Sequence, residues 1–268
     1  MNFELDFKMI EDRDIKLTYF DQFIYSNIIF FAPTYNGKIS TNSDGGINIE
    51  NILKFFDAGH DIMIFGSNQA GGYIRKLANE FGTDFDDYDT KIKDSVYLHN
   101  YKEYLNTDLL ELKNNEIVVT KNSINIPSIV KLTKGLILYE GIGMETDIHN
   151  QYVFPLLKAD ENAYSYNTES GEIVNNGEKI KLVTAYQARN NRRVVISGSI
   201  NLCSNQFYFL SSSDGSSPAT SPNSVFCQDI LNWNFQRTGV LKYDNIRHQR
   251  VISYLKILEN RRCKLVDL

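Results

Sequence analysis

The stretch DIMIFG at residues 61–66 decides the fold class of this chain. Four consecutive apolar residues, two of them β-branched, follow Asp61 and stop at Gly66. A short apolar run bounded by a turn residue is typical of a strand that is buried on both faces. The sequence therefore predicts an inner strand of a sheet at this position.

The segments on either side alternate between strand and helix patterns. Upstream, Ile24–Pro33 is rich in β-branched and aromatic residues and ends at a proline, which favours a second buried strand. Helical spacing of apolar residues follows twice, each time with a glycine at the stop: Ile49, Ile52, Leu53 and Phe56 before Gly59, and Ile74, Leu77, Ala78 and Phe81 before Gly82. This order of strand, helix, strand and helix predicts βαβ units and a mostly parallel sheet.

Further strands are predicted in the second half of the chain. Glu116–Thr120 and Leu136–Tyr139 are apolar enough for strands, whereas the acidic stretch Thr83–Asn115 favours only short strands or loops. Lys179–Gln187 and Arg193–Ser197 are two more β runs. Asn190 and Asn191 stand between them, and asparagine tolerates positive φ, so the pattern predicts a tight hairpin turn.

One more helix is expected near the end of this pattern. Val225–Arg237 reads as a helix that buries Phe226, Ile230 and Trp233 and ends at Gly239. The Ser-rich run Ser211–Asn223 is a loop by composition. Val240–Leu268 begins as a strand without an obvious domain around it.

Composition and charge exclude several classes of function. The 268 residues are 42% hydrophobic and 23% charged, close to the soluble globular average, so the chain is expected to fold. Its net charge of -5 provides no basic field for nucleic acid. The longest unbroken apolar run, Ile28–Ala32, is far shorter than a bilayer requires, and acidic residues from position 4 onward interrupt any signal-peptide core.

The turn after the 61–66 strand lies where α/β proteins place phosphate-binding amides or a nucleophile. Gly66–Gly72 fits none of the specific patterns, because Asn68 occupies the nucleophile position and Gly72 replaces the lysine of a phosphate-binding loop. We therefore expect a structural turn. The nearby carboxylates fail the spacing of a calcium loop and favour a solvated acidic loop at Asp84, Asp86, Asp87 and Asp89.

The cysteines and histidines indicate no metal site. Cys203, Cys227 and Cys263 lie far apart, form no C-x-x-C pair and leave room for one disulfide with one thiol left over. A catalytic pair would take its thiol from Cys203 or Cys227 and its base from one of the four histidines, His60, His99, His149 and His248. No local signature supports such a pair. Cys203 is the better candidate by position, but a buried structural thiol is the favoured interpretation.

The run QARNNRRVVISGS at residues 187–199 resembles a known family, the 48 kDa subunits of the oligosaccharyltransferase complex. Other parts agree in order: GGINIE at 45–50, GIGM at 141–144, Trp233, GVL at 239–241 and HQRV at 248–251. The resemblance covers residues 14–251.

The resemblance implies a fold and a domain division. The expected N-terminal domain is similar to class I glutamine amidotransferases, with a flavodoxin-like, mostly parallel sheet flanked by helices, an added β-hairpin and no catalytic cysteine. It would occupy residues 1–239, and residues 240–268 would begin a truncated C-terminal β-domain. Family members carry a signal peptide before this region and a membrane helix after it, so we expect a fragment or an incomplete gene model, with a soluble paralogue as the alternative.

The same resemblance implies a function without chemistry. No catalytic residue, metal or cofactor is expected; the expected partners are other oligosaccharyltransferase subunits, with lipid-linked oligosaccharide as a further candidate. The expected location is the lumenal side of the endoplasmic reticulum membrane, reached through segments absent from this chain. Two alternatives stay open. One is an amidotransferase or hydrolase that uses Cys203; the other is a soluble adaptor similar to domains of intraflagellar transport and gliding-associated proteins.

The family motif supplies the candidate binding site. Its residues are Gln187, Arg189, Asn190, Asn191 and Arg193. A hairpin turn accounts for the asparagines but does not require the arginines. Because arginine presents a planar fork of donors, we expect Arg189 and Arg193 to hold a fixed acidic partner, either within the fold or on a neighbouring subunit.

Overall fold

A seven-stranded mixed sheet forms the centre of the computed structural model, which describes residues 4–12, 15–37, 46–94, 117–124, 126–131, 135–208 and 221–239. The described helices are α1 (Ile49–Asp57), α2 (Gly72–Glu80), α3 (Asn205–Tyr208) and α4 (Pro222–Asn234). The described strands are β1 (Thr18–Tyr19), β2 (Gln22–Phe23), β3 (Asn27–Phe30), β4 (Asp61–Phe65), β5 (Thr83–Phe85), β6 (Thr90–Lys93), β7 (Val118–Thr120), β8 (Ile137–Tyr139), β9 (Met144–Thr146), β10 (Val153–Lys158), β11 (Tyr164–Asn167), β12 (Ile173–Asn176), β13 (Lys181–Gln187) and β14 (Arg193–Ser197).

The central sheet is parallel on one side and antiparallel on the other. Its strand order is β3-β4-β14-β13-β9-β5, with β10 also paired to β13. Only the β3–β4 and β4–β14 pairs are parallel; β13 is antiparallel to β14, β9 and β10, and β5 is antiparallel to β9. The prediction of a mostly parallel sheet is therefore wrong, because the tight 187–193 turn returns β13 and β14 as adjacent antiparallel strands. The α/β class is confirmed.

Both early helices end where the sequence indicates, and α1 also begins where its motif predicts. At the start of α1 the Asn48 side chain accepts a hydrogen bond from the backbone N–H of Asn51 at 2.8 Å. After the two helices, Gly59 and Gly82 adopt φ values of +106° and +71°. These left-handed conformations favour glycine and stop each helix, as predicted.

The β4 strand is buried on both faces, as its apolar run predicts. Ile62 and Ile64 pack with α1 and α2, whereas Met63 and Phe65 pack on the opposite face with α4 and the β7–β8 pair. Alternate residues of a strand point to opposite faces, so one strand contributes to two apolar cores. The result is a sheet with helices on both sides.

The helix α4 begins three residues earlier than the sequence indicates. The Ser221 hydroxyl caps it by accepting from the backbone N–H of Ser224 at 3.1 Å, and Pro222 occupies its first turn. The end of the predicted 211–223 loop is therefore helix, since serine and proline are favoured at a helix start. Phe226, Ile230 and Trp233 are buried, as expected.

The other strand predictions fall partly outside the described residues. The β7 and β8 strands form their own antiparallel pair, and β5 and β6 are the short strands expected in the acidic stretch. Residues 95–115 and the segment 240–268 lie outside the described residues. Within the described ranges, no helix has the length and apolar character that crossing a membrane requires.

Candidate functional site

The turn between β4 and α2 lies at the carboxyl ends of the parallel strands, where open α/β sheets place ligands. At two of its glycines, neighbouring atoms approach the backbone so closely that no side chain would fit. A Cβ atom at Gly66 would lie 2.5 Å from the Phe85 ring, and one at Gly71 would lie 2.2 Å from the carbonyl oxygen of Tyr35. These contacts agree with the predicted structural turn.

A second loop is bound over this turn. The backbone N–H of Asp89 donates to the carbonyl of Asn68 at 2.9 Å. From α2, the Arg75 guanidinium donates to the carbonyl of Ala70 at 2.8 Å and to that of Asp86 at 2.7 Å. The turn is therefore occupied by backbone contacts, and Asn68 supplies no nucleophile.

The Asp86 carboxylate on this loop is not solvated, contrary to the sequence expectation. It is buried, and it accepts hydrogen bonds from the Ser165 hydroxyl and from the Asn175 amide at 3.0 Å. Burial raises the pKa of Asp86, although the two hydrogen bonds oppose that shift. Its oxygens are used inside the fold, and no group of His, Cys, Asp and Glu among the described residues is placed to hold a metal ion.

The family motif forms the predicted hairpin turn. Asn191 adopts a φ of +64°, and the backbone N–H of Ala188 donates to the carbonyl of Arg192 at 2.8 Å. The Asn190 side chain accepts from the backbone N–H of Arg192 at 3.1 Å, while the Gln187 amide donates to Asn191 at 2.5 Å. The asparagines therefore have the structural role that turn chemistry assigns to them.

Arg193 is fully buried, and its guanidinium lies at the end of α4. It donates to the carbonyls of Trp233, Thr238 and Gly239, the last two at 2.9 and 2.8 Å. These hydrogen bonds go to backbone carbonyls, while the charge of Arg193 opposes the burial-driven rise in the pKa of the nearby Asp61 carboxyl, and the expected acidic partner of the guanidinium stays a prediction. The Trp233 carbonyl lies in the last turn of α4, where carbonyls lack intrahelical donors, and those of Thr238 and Gly239 follow the helix.

The motif has an acidic neighbour, Asp61, which contacts the backbone of Arg193 and the side chains of Gln236 and Arg192. The buried Asp61 carboxylate accepts from the backbone N–H of Arg193 at 2.9 Å and from the Gln236 amide at 3.3 Å. The Arg192 guanidinium lies 3.8 Å from its second oxygen. Burial raises the pKa of Asp61 more than these contacts lower it.

Sequence reasoning missed Asp61, Arg192 and Gln236 as members of this cluster. Asp61 and Gln236 are 175 residues apart, so no local pattern connects them. One signal in the sequence could have indicated this cluster: Asp61 is a charged residue at the start of an otherwise apolar strand, and a buried carboxylate requires partners.

Arg189 and Asn190 point away from this cluster and are exposed. The Arg189 guanidinium donates to the Tyr152 hydroxyl and lies 5.6 Å from the centre of that ring. The structure thus brings Gln187, Asn191 and Arg193 together as an internal support and leaves Arg189 and Asn190 on the surface.

The sequence left open a nucleophilic role for a cysteine thiol, and the structure excludes that role for two of the three cysteines. Cys203 and Cys227 form a disulfide with an S–S distance of 2.08 Å. Neither is a free thiol, so the hypothesis of a Cys203 nucleophile is wrong. Of the histidines, His60 stacks on Phe55 at 4.2 Å and His149 is exposed, while His99 and His248 lie outside the described residues.

These observations define an α/β domain in which a buried arginine anchors a hairpin and asparagine, Asn68, occupies the nucleophile position of the strand-to-helix turn. The sequence profile of the family described as "OST48, N-terminal domain" matches residues 1–237. The chain belongs to this family.

Relatives from three organisms carry the name "Dolichyl-diphosphooligosaccharide--protein glycosyltransferase 48 kDa subunit". The chain is 30% identical over 261 residues to the relative from Danio rerio and 31% identical over 265 residues to that from Arabidopsis thaliana, covering 93% of this chain and 56% of each relative. The Drosophila melanogaster relative is 28% identical over 263 residues, covering 92% of this chain and 55% of the relative. The chain thus spans about half the length of the curated relatives that it matches.

A solved structure described as "mmIFT52 N-terminal domain" aligns with a TM-score of 0.46 and 15% identity, over 72% of each chain.

Proposed function

We propose that this chain acts as a non-catalytic scaffold within an oligosaccharyltransferase complex, contributing to protein N-glycosylation by binding other subunits. The observation that carries the proposal is the turn after β4, where Asn68 replaces a nucleophile and the Asp86–Asp89 loop is bound across it. Family membership and the names of the relatives support the choice of complex.

The proposed location is the lumenal side of the endoplasmic reticulum membrane. The Cys203–Cys227 disulfide supports it, because disulfides persist in oxidising compartments such as this lumen and are rare in the cytosol. A contact with lipid-linked oligosaccharide is a secondary part of the proposal. Isotope-labelled carrier lipid added to the purified complex would test it by crosslinking.

The proposal includes the domain division at residue 239, with an amidotransferase-like, flavodoxin-related domain before it. The family profile ends at residue 237, and Arg193 binds the carbonyls of Thr238 and Gly239. Limited proteolysis should therefore cleave just after Gly239 and leave a folded core. Protection that continues through Lys256 would contradict the division.

Arg189 and Asn190 are the proposed partner contacts of the motif. They are exposed at the tip of a turn whose conformation is held from within by Asn191. Arg189→Ala should leave the melting temperature nearly unchanged but weaken co-purification of other subunits, because the guanidinium lies against Tyr152 at the exposed surface, where a neighbour can reach it. Lys76→Ala, an exposed cation on α2, is the control and should affect neither.

The proposed function is tested in cells that express a tagged copy from its own locus. Depletion should leave a secreted N-x-T reporter underglycosylated, and the tag should recover other complex subunits. We expect an Asn68→Ala copy to restore glycosylation of the reporter, since no chemistry is assigned to that residue. A reporter that is fully glycosylated after depletion, or a purified chain with hydrolase or amidotransferase turnover, would contradict the proposal.

A further inference from the structure

A β-hairpin near the start of the described chain carries an exposed pair of aromatic rings. Strands β1 and β2 pair Tyr19 with Gln22, so Phe20 and Asp21 are the two residues of the turn between them. Tyr19 is 66% exposed and Phe20 is 83% exposed. Their rings are in edge-to-face contact, with centroids 4.4 Å apart. The two rings therefore form one aromatic projection, which we call the hairpin tip.

The backbone of this turn is strained at Phe20. Phe20 and Asp21 adopt φ values of +47° and +58°. A two-residue hairpin turn with positive φ at both positions favours asparagine, aspartate or glycine, so Asp21 fits the turn. A bulky phenylalanine in the left-handed region is an outlier. At this exposure its ring regains little of the cost through packing, and strain of this kind clusters at functional sites.

The base of the hairpin is fixed to the rest of the domain. Leu17 is buried, and its carbonyl accepts from the backbone N–H of Ile24 at 2.9 Å. The Phe23 ring packs edge to face against Phe55 of α1 and against His60, each at 5.2 Å. The tip is therefore presented in an ordered conformation, which lowers the entropic cost of binding. Aromatic residues of this kind are enriched at protein interfaces.

The carboxylate at the turn selects among partners. Asp21 is exposed, and within the described residues it forms no ion pair. Insertion into a bilayer would remove water from this carboxylate and from the polar backbone of the turn, which is costly. We propose that the hairpin tip inserts into an apolar pocket of a neighbouring polypeptide, whose rim places a cation or an amide donor at Asp21.

A second copy of this chain fits less well as the neighbour. A twofold contact between two tips would bring the Asp21 carboxylates together, and like charges at an interface oppose binding. A head-to-tail contact would need an apolar pocket on this chain. The described cavity of about 320 Å³ is lined by Glu11, Thr34 and Asn36 beside its apolar side chains, so Glu11 would repel Asp21.

This inference deepens the proposed function and rests on it, because the neighbour would be another oligosaccharyltransferase subunit. Removal of a buried phenylalanine ring should weaken binding about tenfold or more. The same removal should stabilise the isolated chain: Phe20→Asn relieves the strain in the turn and should raise the melting temperature by about 1–4 °C. A ring with only a structural role would give a lower melting temperature instead.

The experiment uses the full chain in the solubilised complex. Photoreactive benzoylphenylalanine placed at position 20 should crosslink to one oligosaccharyltransferase subunit, at apolar side chains that mass spectrometry identifies. The affinity of the purified full chain for that subunit is then measured. Phe20→Asn should weaken it about tenfold or more, and Asp21→Lys should also weaken it, because a cation would then face the donors of the rim.

The matched control is Phe7→Asn. Phe7 is also a phenylalanine, is 86% exposed and lies outside the hairpin. Its replacement should change the affinity less than about twofold and leave the melting temperature unchanged. Crosslinks to lipid or to a second copy alone, no crosslink at all, an equal loss in the control, or a lower melting temperature of Phe20→Asn would each overturn the inference.

Failure of the inference and failure of the proposed function give different results. A crosslink from position 20 to apolar side chains of a polypeptide outside the oligosaccharyltransferase complex would contradict only the proposed complex. Unchanged affinity of Phe20→Asn for the oligosaccharyltransferase subunits that the wild type recovers would contradict only the assignment of the hairpin tip.

Discussion

The guanidinium of Arg193 lies 4.5 Å from the centre of the Trp233 ring and joins the start of β14 to the end of α4. The same group binds the carbonyls that follow the helix, so one side chain holds a helix end against the central sheet. The segment of sequence that most clearly marks the family is therefore a structural support. Only its exposed tip is available for binding.

Replacing Arg193 should destabilise the fold severely. Arg193→Ala leaves buried carbonyls without donors and opens a cavity beside Trp233, so we expect a loss of about 3–5 kcal/mol in the free energy of unfolding. Urea denaturation of the full chain measures it. Arg189→Ala is the matched control and should change stability little, because its guanidinium lies in solvent against Tyr152. Equal losses in the two variants would contradict the internal role of Arg193.

Local patterns in the sequence were sufficient to predict the individual helices and strands but not how the strands pair in the sheet. The helices α1 and α2, the buried β4 strand and the 187–193 turn each follow from residues within one short window. The antiparallel half of the sheet does not, because strand direction depends on pairings between β13 and the distant strands β9 and β10.

The candidate site shows the same division. Turn chemistry correctly predicts the role of Asn190 and Asn191. The partners of Arg193 could not be inferred, since they are backbone carbonyls 40 or more residues away. Charge suggested an acidic side chain; the nearby acid, Asp61, accepts from the backbone N–H of Arg193, and the charge of Arg193 also acts on its pKa.

The disulfide should contribute strongly to stability. It joins residues 24 positions apart, and a loop of that size restricts the unfolded chain by about 3 kcal/mol. The Cys203→Ser/Cys227→Ser double variant should lose stability of that order in urea denaturation. A reducing agent should lower the stability of the wild type but not that of the variant.

Cysteine counting checks the same pairing chemically. In denaturant without reductant, one of the three cysteines should be alkylated, since two are paired; after reduction all three should react. Intact-mass measurement distinguishes the states. Three alkylated cysteines before reduction would show that the disulfide is absent.

The buried Asp86 carboxyl should make stability depend on pH. Its ordinary pKa is 3.8, and burial raises the pKa in the fold, so the folded protein keeps this proton to higher pH than the unfolded chain does. The contribution is therefore present below the unfolded pKa and is lost as the pH rises through the folded pKa. Asp86→Asn cannot ionise, so its stability relative to the wild type should increase over that interval.

Urea unfolding across a series of acidic to neutral buffers measures this difference. Asp84→Asn, an exposed carboxylate on the same β5 segment, is the control for removing a negative charge. A relative stability of Asp86→Asn that stays constant, or decreases, as the pH rises would show that the folded Asp86 carboxyl does not hold its proton.

Two adjacent glycines at the start of α2 should respond in opposite directions to alanine. A Cβ atom at Gly71 would lie 2.2 Å from the Tyr35 carbonyl oxygen and 2.6 Å from that of Thr34, and backbone atoms cannot move aside as a flexible side chain can. At Gly72 the nearest atom, Oδ1 of Asn36, is 3.9 Å away, which is an ordinary contact. Gly71→Ala should therefore lose about 2–3 kcal/mol of stability through overpacking. Gly72→Ala should gain about 0.5–1 kcal/mol, because alanine favours the helix and restricts the unfolded chain. Parallel thermal and urea melts decide the matter: equal effects of the two substitutions would mean that α2 does not approach the Thr34–Tyr35 backbone as closely as described.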